Sequence, residues 1–383
     1  MLRNPRAGKV HRLRRSVHAR LFRIEESPKL DAVRRTRGSN VAVALLLAVC
    51  AVFGQTDPLD EATQLARQHR YKEAAAAIQH ASPPIDTAQR IRYYRVKAAI
   101  ALGNGDGPAS AKDMESALAL APENHDLAVA TAAAQYQAAE AYEQRNDSLA
   151  AVRAYQRAVA LAPEVEQHHL GLGLELLRHE SFDAATAVFE ATVRRFPNSE
   201  RARVGLGICY YLAGRGDDAV TALLAAPAES ALAAAYLGQI ELDRADPPDR
   251  AAVDRVCSFS TAHLNALCGG LVLRTGEVQS VLPRLRTAAQ QAPDDPAARC
   301  QLGKALDESR LFEQARTEME ACVRLDPTSP LSHYRLARIY HRLGLVELAK
   351  REERLRAQAE EKLGAENERR LKAVQGFVTE MRP

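Results

Sequence analysis

The sequence predicts an all-α solenoid of stacked helix pairs, and three observations carry the prediction. The first is a period. Ala139, Tyr142, Ala151, Tyr155, Ala158 and Pro163 are followed 34 residues later by Gly173, Leu176, Ala185, Phe189, Thr192 and Pro197, and the frame continues in Gly207, Tyr210, Ala219 and Leu223. Self-similarity at such a spacing marks an array in which no unit can bury its apolar face alone. The second is composition: aromatic residues make up 5%, tryptophan is absent and alanine is abundant. That suits helices packed closely through small side chains and disfavours a β-rich sandwich. The third is that residue size keeps its place in the frame, small at positions 8, 20 and 27, bulky at 11 and 24, with proline at 32.

Taken in order, the chain opens with a basic arm. Residues 1–40 hold twelve Lys/Arg against three Asp/Glu, and the other 343 hold forty against forty-five. The formal net charge of +4 therefore sits in the arm, and the body is mildly acidic, so no nucleic-acid partner is expected. Residues 41–54 follow without a charge. The run is short for a bilayer-spanning helix, which needs about 20 apolar residues. It fits the apolar core of a secretory signal peptide preceded by Arg34, Arg35 and Arg37, with cleavage before Gln55. An uncleaved signal anchor is the alternative reading, and a buried helix in a cytosolic protein is the third. The first two put the rest of the chain in the periplasm or cell envelope. Membrane contact is expected only through residues 1–54.

The array is expected over 55–363. Residues 55–90 read as a worn repeat, with a helix from Leu59 to Arg67, a turn at Gln68-His69-Arg70 and a second helix opened by Tyr71 and ended by Pro83-Pro84. The next repeat, 91–124, carries Ala98, Gly105, Ala117 and Pro122. From Pro122 to Pro163 the spacing exceeds the period by seven residues, or two helical turns, which predicts a longer helix with its face unchanged. Repeats 132–165 and 166–199 are the cleanest, and 200–228 is cut short by Pro227. The unit at 229–261 is degenerate, its turn disrupted by Asp246-Pro247-Pro248-Asp249. The frame recovers in 262–295, 296–329 and 330–363. Residues 345–378 read as one long charged helix, interrupted mainly at Gly364, that caps the array with a polar face.

This pattern of small, bulky and proline positions resembles the tetratricopeptide repeat (TPR) family over nearly all of 55–363. The resemblance implies a right-handed superhelical solenoid of helix-turn-helix repeats and a non-catalytic role in binding a protein or peptide. It also implies a concave groove lined by positions 2, 5, 9, 12 and 13 of each first helix. In 166–199 these positions supply Gln167, Leu170, Leu174, Leu177 and Arg178; in 200–228 they supply Arg201, Val204, Ile208, Tyr211 and Leu212. An apolar patch rimmed by Arg178 and Arg201 suits an extended peptide or an amphipathic helix, unless a tight superhelix or the arm covers it. In 330–363 the same positions give Leu331, Tyr334, Arg338, His341 and Arg342. That basic face with one aromatic suits a carboxylate, a phosphate or an acidic segment; a solvated face offset by the acidic final helix is the alternative. Position 9 carries no asparagine in any repeat, a departure from the chaperone-binding members that clamp a peptide's terminal carboxylate.

No catalytic or cofactor-binding motif emerges, so no cofactor is expected and an envelope enzyme, the reading from another class, has no residues to name. Adjacent His168 and His169 point about 100° apart on a helix, and His333 and His341 are two turns apart, so neither pair can chelate a metal; all four read as surface or groove residues. Setting Cys50 aside leaves five cysteines. An odd number is no disulfide framework, although a Cys257–Cys268 bridge fits an oxidising compartment. The sequence thus points to an interaction scaffold, exported, or else a cytoplasmic or membrane-tethered adaptor.

Overall fold

The computed structural model describes residues 57–380, His80 excepted, with side chains to residue 365. The basic arm and the apolar run at 41–54 lie outside the described residues. Among those described, the chain forms two compact units that divide between Phe196 and Pro197.

The first unit contains α1 (Pro58–Arg67), α2 (Tyr71–Ile78), α3 (Thr87–Gly103), α4 (Gly107–Leu118), α5 (His125–Gln144), α6 (Ser148–Leu161), α7 (Glu166–Arg178) and α8 (Phe182–Arg195). The second contains α9 (Glu200–Leu212), α10 (Gly216–Leu224), α11 (Ala231–Asp243), α12 (Arg250–Cys257), α13 (Ala262–Arg274), α14 (Val278–Gln291), α15 (Pro296–Glu308), α16 (Phe312–Leu325), α17 (Pro330–Arg342) and α18 (Val346–Glu380). Both units are all-α among the described residues, and successive helices pair as antiparallel hairpins. The solenoid class of the TPR fold is the one observed in each unit.

The 34-residue period is written into the backbone as well as the side chains. In six of the turns that close a hairpin one residue has a positive φ at the same place in the frame: Asn146, Glu180 and Gly214 in one series, Gly276, Arg310 and Gly344 in another, successive members 34 residues apart. Helix starts are equally regular. Asp147, Ser199, Ser230, Thr261 and Ser329 cap α6, α9, α11, α13 and α17 by accepting from a backbone N–H of the first turn. Proline at position 32 stops the second helix, and its carbonyl then needs a donor. The fourth residue of the next helix supplies one: His169 faces Pro163 O at 2.9 Å, Arg203 donates to Pro197 O at 2.8 Å, Arg299 to Pro293 O at 3.1 Å, and His333 faces Pro327 O at 3.0 Å. Arg90 does the same for Pro84 at 2.8 Å in the worn repeat.

Packing follows the frame. Ala151, Ala185, Ala219, Ala315 and Ala349, all at position 20, are fully buried. Glycine at position 8 lets the two helices of a hairpin touch: a Cβ on Gly173 would stand 2.7 Å from the Phe189 ring, and one on Gly269 2.4 Å from Leu285. In the second unit Leu273, Leu285, Leu302, Met319, Leu336 and Ile339 join one core running through α13–α17, as stacked repeats require. Helix α5 has 20 residues where α7 has 13, which absorbs the seven extra residues. The degenerate unit keeps its two helices, α11 and α12, joined by residues 244–249. Helix α18 runs through Gly364 without the expected interruption, since glycine in an exposed helix interior costs only about 1 kcal/mol.

Cysteine parity misled. Cys257–Cys268 joins α12 to α13, a second bridge, Cys300–Cys322, joins α15 to α16 within one hairpin, and buried Cys209 lies outside both.

Candidate protein-binding faces

The expected apolar patch is split between the two units. In the first, α7 packs against α6 and α8; Leu170 and Leu177 are only 8% and 5% exposed, while Leu174 is half-buried. A Cβ on Gly171 would stand 2.6 Å from the Tyr155 ring, so the absence of a side chain there lets Tyr155 close over this face. Arg178 is not a bare rim cation. It lies 3.2 Å from Glu143 and 2.9 Å from Glu175, and the Tyr155 hydroxyl donates to the other Glu143 oxygen at 2.6 Å. Burial opposes the Arg178 charge, but Glu143 and Glu175 outweigh it and hold the guanidinium above its ordinary range. Burial and the same Glu143 push the Tyr155 hydroxyl far above the tyrosine range. In the second unit Val204, Ile208 and Tyr211 are buried and only Arg201 is exposed. As an open apolar surface the patch is therefore corrected: Leu170, Leu177, Val204, Ile208 and Tyr211 are spent on packing, and of its apolar positions Leu174 alone keeps partial exposure.

The basic face is open. It lies within the second unit, on α15 and α17. Leu331 and Tyr334 are 54% and 42% exposed. With Arg338 and Arg342 they recur at spacings of three and four, along one side of α17. Asp307, near the end of α15, gathers the arginines: Arg338 reaches it at 3.1 Å and Arg342 donates to its other oxygen. Arg342 also lies 5.3 Å from the Phe312 ring centre, and both Arg338 and Arg356 approach the Tyr334 ring. A concavity of about 380 Å³ is lined by Asp307, Glu308, Arg310, Phe312 and Arg342.

Lys304 and Arg335 complete the cluster. Lys304 is 3.8 Å from Glu308, and Arg335 makes no hydrogen bond or ion pair among the described residues. Burial lowers the Lys304 ammonium against the pull of Glu308, with Arg335 and Arg274 adding repulsion. Burial likewise lowers the Arg335 guanidinium, opposed by Glu308 and reinforced by Arg338. Of Asp307, Lys304 and Arg335, only Arg335 stands outside the groove pattern, at position 6; Asp307 and Lys304 hold groove positions 12 and 9 of a repeat whose charges look unremarkable on their own. The signal was an acid at position 12 followed 35 residues later by Arg at 13, which Glu143–Arg178 and Asp307–Arg342 share.

The tetratricopeptide repeat family model matches residues 136–185, 170–234 and 300–360. Over those residues the chain is built of tetratricopeptide repeats. A curated relative, the TPR repeat-containing thioredoxin TTL4 of Arabidopsis thaliana, is 36% identical over 83 residues, a stretch that is 22% of this chain and 12% of that protein. The chain thus matches about an eighth of that relative's length. Among solved structures it is similar to the C-terminal part of a TPR repeat-containing protein from Cytophaga hutchinsonii (15% identity, TM-score 0.45, covering 73% of this chain and 99% of that one). It is also similar to the APC/C hetero-tetramer Cut9–Hcn1 (11%, 0.44, 79% and 80%) and to YrrB, a TPR protein with an unusual peptide-binding site (15%, 0.34, 57% and 99%).

Within this TPR chain the histidines are mostly structural, contrary to the surface or groove position expected. His168 and His169 are buried, His168 beside the Tyr136 ring and His169 edge-on to Phe196. His333 is buried against Glu352 at 2.6 Å, and of these four only His341 is exposed, 3.0 Å from Glu353. Among the described residues no group of His, Cys, Asp or Glu is arranged to hold a metal, and no helix is long and apolar enough to cross a membrane.

Proposed function

We propose that this TPR chain is an interaction scaffold that holds an acidic segment of a partner protein on the α15–α17 face. The observation that supports it is charge imbalance. Lys304, Arg335, Arg338 and Arg342 converge where, among the described residues, Asp307 and Glu308 are the acids that oppose them, and two of the four are drawn below their ordinary ranges by burial. A carboxylate-rich ligand relieves that repulsion, and guanidinium groups bind it through charge-assisted hydrogen bonds. Leu331 and Tyr334 beside the cations suit an apolar or aromatic residue in the same segment. Titrating a glutamate-rich peptide that carries one aromatic residue tests the reading. Saturable, salt-sensitive binding that disappears in Arg335→Glu/Arg338→Glu supports it, and equal binding of a neutral peptide of the same length overturns it.

The reading includes export to the periplasm or cell envelope. The apolar run at 41–54 after a basic arm supports it, and so do two disulfides, which persist in oxidising compartments. Cell fractionation separates it from a cytoplasmic or membrane-tethered adaptor. Intact-mass measurement of the native protein shows whether the chain starts near Gln55 or at Met1.

A further inference from the structure

Arg284, on α14, is a cation without a counter-ion. Its Nε donates to Asn265 Oδ1 at 2.7 Å, one terminal nitrogen donates to the carbonyls of Cys257 and Phe259 at 2.8 and 3.1 Å, and the other lies 2.8 Å from Cys268 Sγ. No carboxylate pairs with it among the described residues. Every group it meets is neutral while the Cys257–Cys268 bond is closed. The two sulfurs also differ in access: Cys268 is 1% exposed and Cys257 is half-buried. The second disulfide offers no such asymmetry of charge, since only the Ser332 hydroxyl approaches Cys300 and Cys322, at 3.8 and 3.4 Å.

We infer that Cys257 is a site of reversible thiol modification, with Cys268 as the leaving sulfur held as a thiolate by Arg284. A small-molecule thiol, as its thiolate, attacks the accessible Cys257 sulfur in line with the bond to Cys268. A new sulfur–sulfur bond forms between the thiol and Cys257, the Cys257–Cys268 bond breaks, and its electron pair goes to Cys268 Sγ. Exchange runs fastest when the departing thiolate is stabilised, and a guanidinium in contact with the sulfur provides that stabilisation. A second thiolate then attacks the adduct at its small-molecule sulfur. This releases Cys257 as a thiolate and leaves the two small thiols oxidised to their own disulfide, so two electrons pass to the protein. The reverse sequence closes the bond again. Arg284 keeps its bonds to the Cys257 and Phe259 carbonyls throughout, so the connection between α12 and α13 stays in place while the chemistry occurs. The modification is therefore compatible with a folded array.

The test uses the full chain, oxidised, under non-denaturing conditions, with glutathione as the thiol, acid quenching and peptide mass spectrometry. The expected result is an adduct on Cys257 with Cys268 recovered as a thiol, and opening at least about tenfold faster than that of Cys300–Cys322, the scale set by one charge-assisted hydrogen bond to the leaving sulfur. Arg284→Gln is expected to remove most of that advantage and Arg284→Lys to keep most of it. An adduct on Cys268, or equal opening of both disulfides in the wild-type chain, overturns the inference without reliance on either variant. A folded Arg284→Gln protein that opens at the wild-type rate also overturns it.

Discussion

Asp307 accepts a hydrogen bond from Arg342, 35 residues further along the chain, and holds Arg338 at 3.1 Å with its second oxygen. In the first unit Glu143 stands in the same relation to Arg178. An acid at position 12 facing arginine at position 13 of the next repeat is thus a recurrent tie between first helices. In the first unit the tie is closed, because Glu175 and Tyr155 complete it. In the second, Lys304 and Arg335 leave a surplus of positive charge.

Removing the tie separates stability from binding. Asp307→Asn should cost about 1 kcal/mol in denaturant unfolding, because Asp307 is buried while both arginines keep contact with water. The same variant should bind a glutamate-rich peptide at least as tightly as the wild type, since it frees two guanidinium groups. Weaker binding would mean that Asp307 positions the arginines and that their charge alone does not suffice.

Lys304→Met should move the two properties in opposite directions. The ammonium is lowered chiefly by burial, so keeping it charged costs the folded state at every pH below its folded value. Methionine removes that cost and should raise the melting temperature. Affinity for the acidic peptide should fall, and its dependence on salt should weaken.

Four turn residues that are not glycine hold a conformation that costs an L-residue about 1 kcal/mol or more. Glu180→Gly and Arg310→Gly, at φ 56° and 61°, should therefore be neutral or stabilising by up to about 1 kcal/mol, part of the relief being lost to the greater freedom of the unfolded chain. Gly269→Ala should instead destabilise by about 1–3 kcal/mol, because the new methyl group meets Leu285 in a filled core. Thermal unfolding monitored by circular dichroism ranks all three.

The sign of one acid transition can be worked out. Glu115 accepts two hydrogen bonds from Arg157 and one from Gln135. The bonds from Arg157, chiefly, lower its carboxyl below the ordinary value of 4.5, against a smaller opposing effect of burial. A carboxyl depressed in the folded state contributes stability that is complete above the unfolded value and is lost as pH falls through the folded one. Arg157→Gln should lower stability at neutral pH by less than about 1 kcal/mol, both groups being partly exposed. It should also flatten the decline in stability below pH 4.5, and an unchanged acid limb would reject the assignment.

What the sequence reveals follows from what repeats do. Position 20 alanines, position 8 glycines and position 32 prolines recur because each repeat presents the same surface to the next, so a period along the chain is a contact in space. The groove was harder to read. Leu170, Leu177 and Ile208 occupy positions that the family gives to a binding surface, yet all three are buried; on α7, Gly171 at position 6 lets Tyr155 approach closely, and no single-repeat pattern reports that approach. The Cys300–Cys322 bridge was hidden by a parity argument that one leftover thiol defeats. His333 and Glu352 meet across the final hairpin, where a buried donor and acceptor satisfy each other, and neither carries a motif. Pro283 inside α14 would be taken as a helix end, but its helix is held by packing of Val281 and Leu285 on either side.

The α15–α17 face is the proposed seat of a partner's acidic segment. Leu331 lies at the edge of that face and is 54% exposed, so a photo-crosslinking residue there samples the face without disturbing the core. In cells, irradiation should join it to one partner through a peptide rich in Asp and Glu, and Arg335→Glu/Arg338→Glu should abolish the adduct. An adduct through an uncharged or basic peptide, or one that survives the charge reversal, would contradict the account.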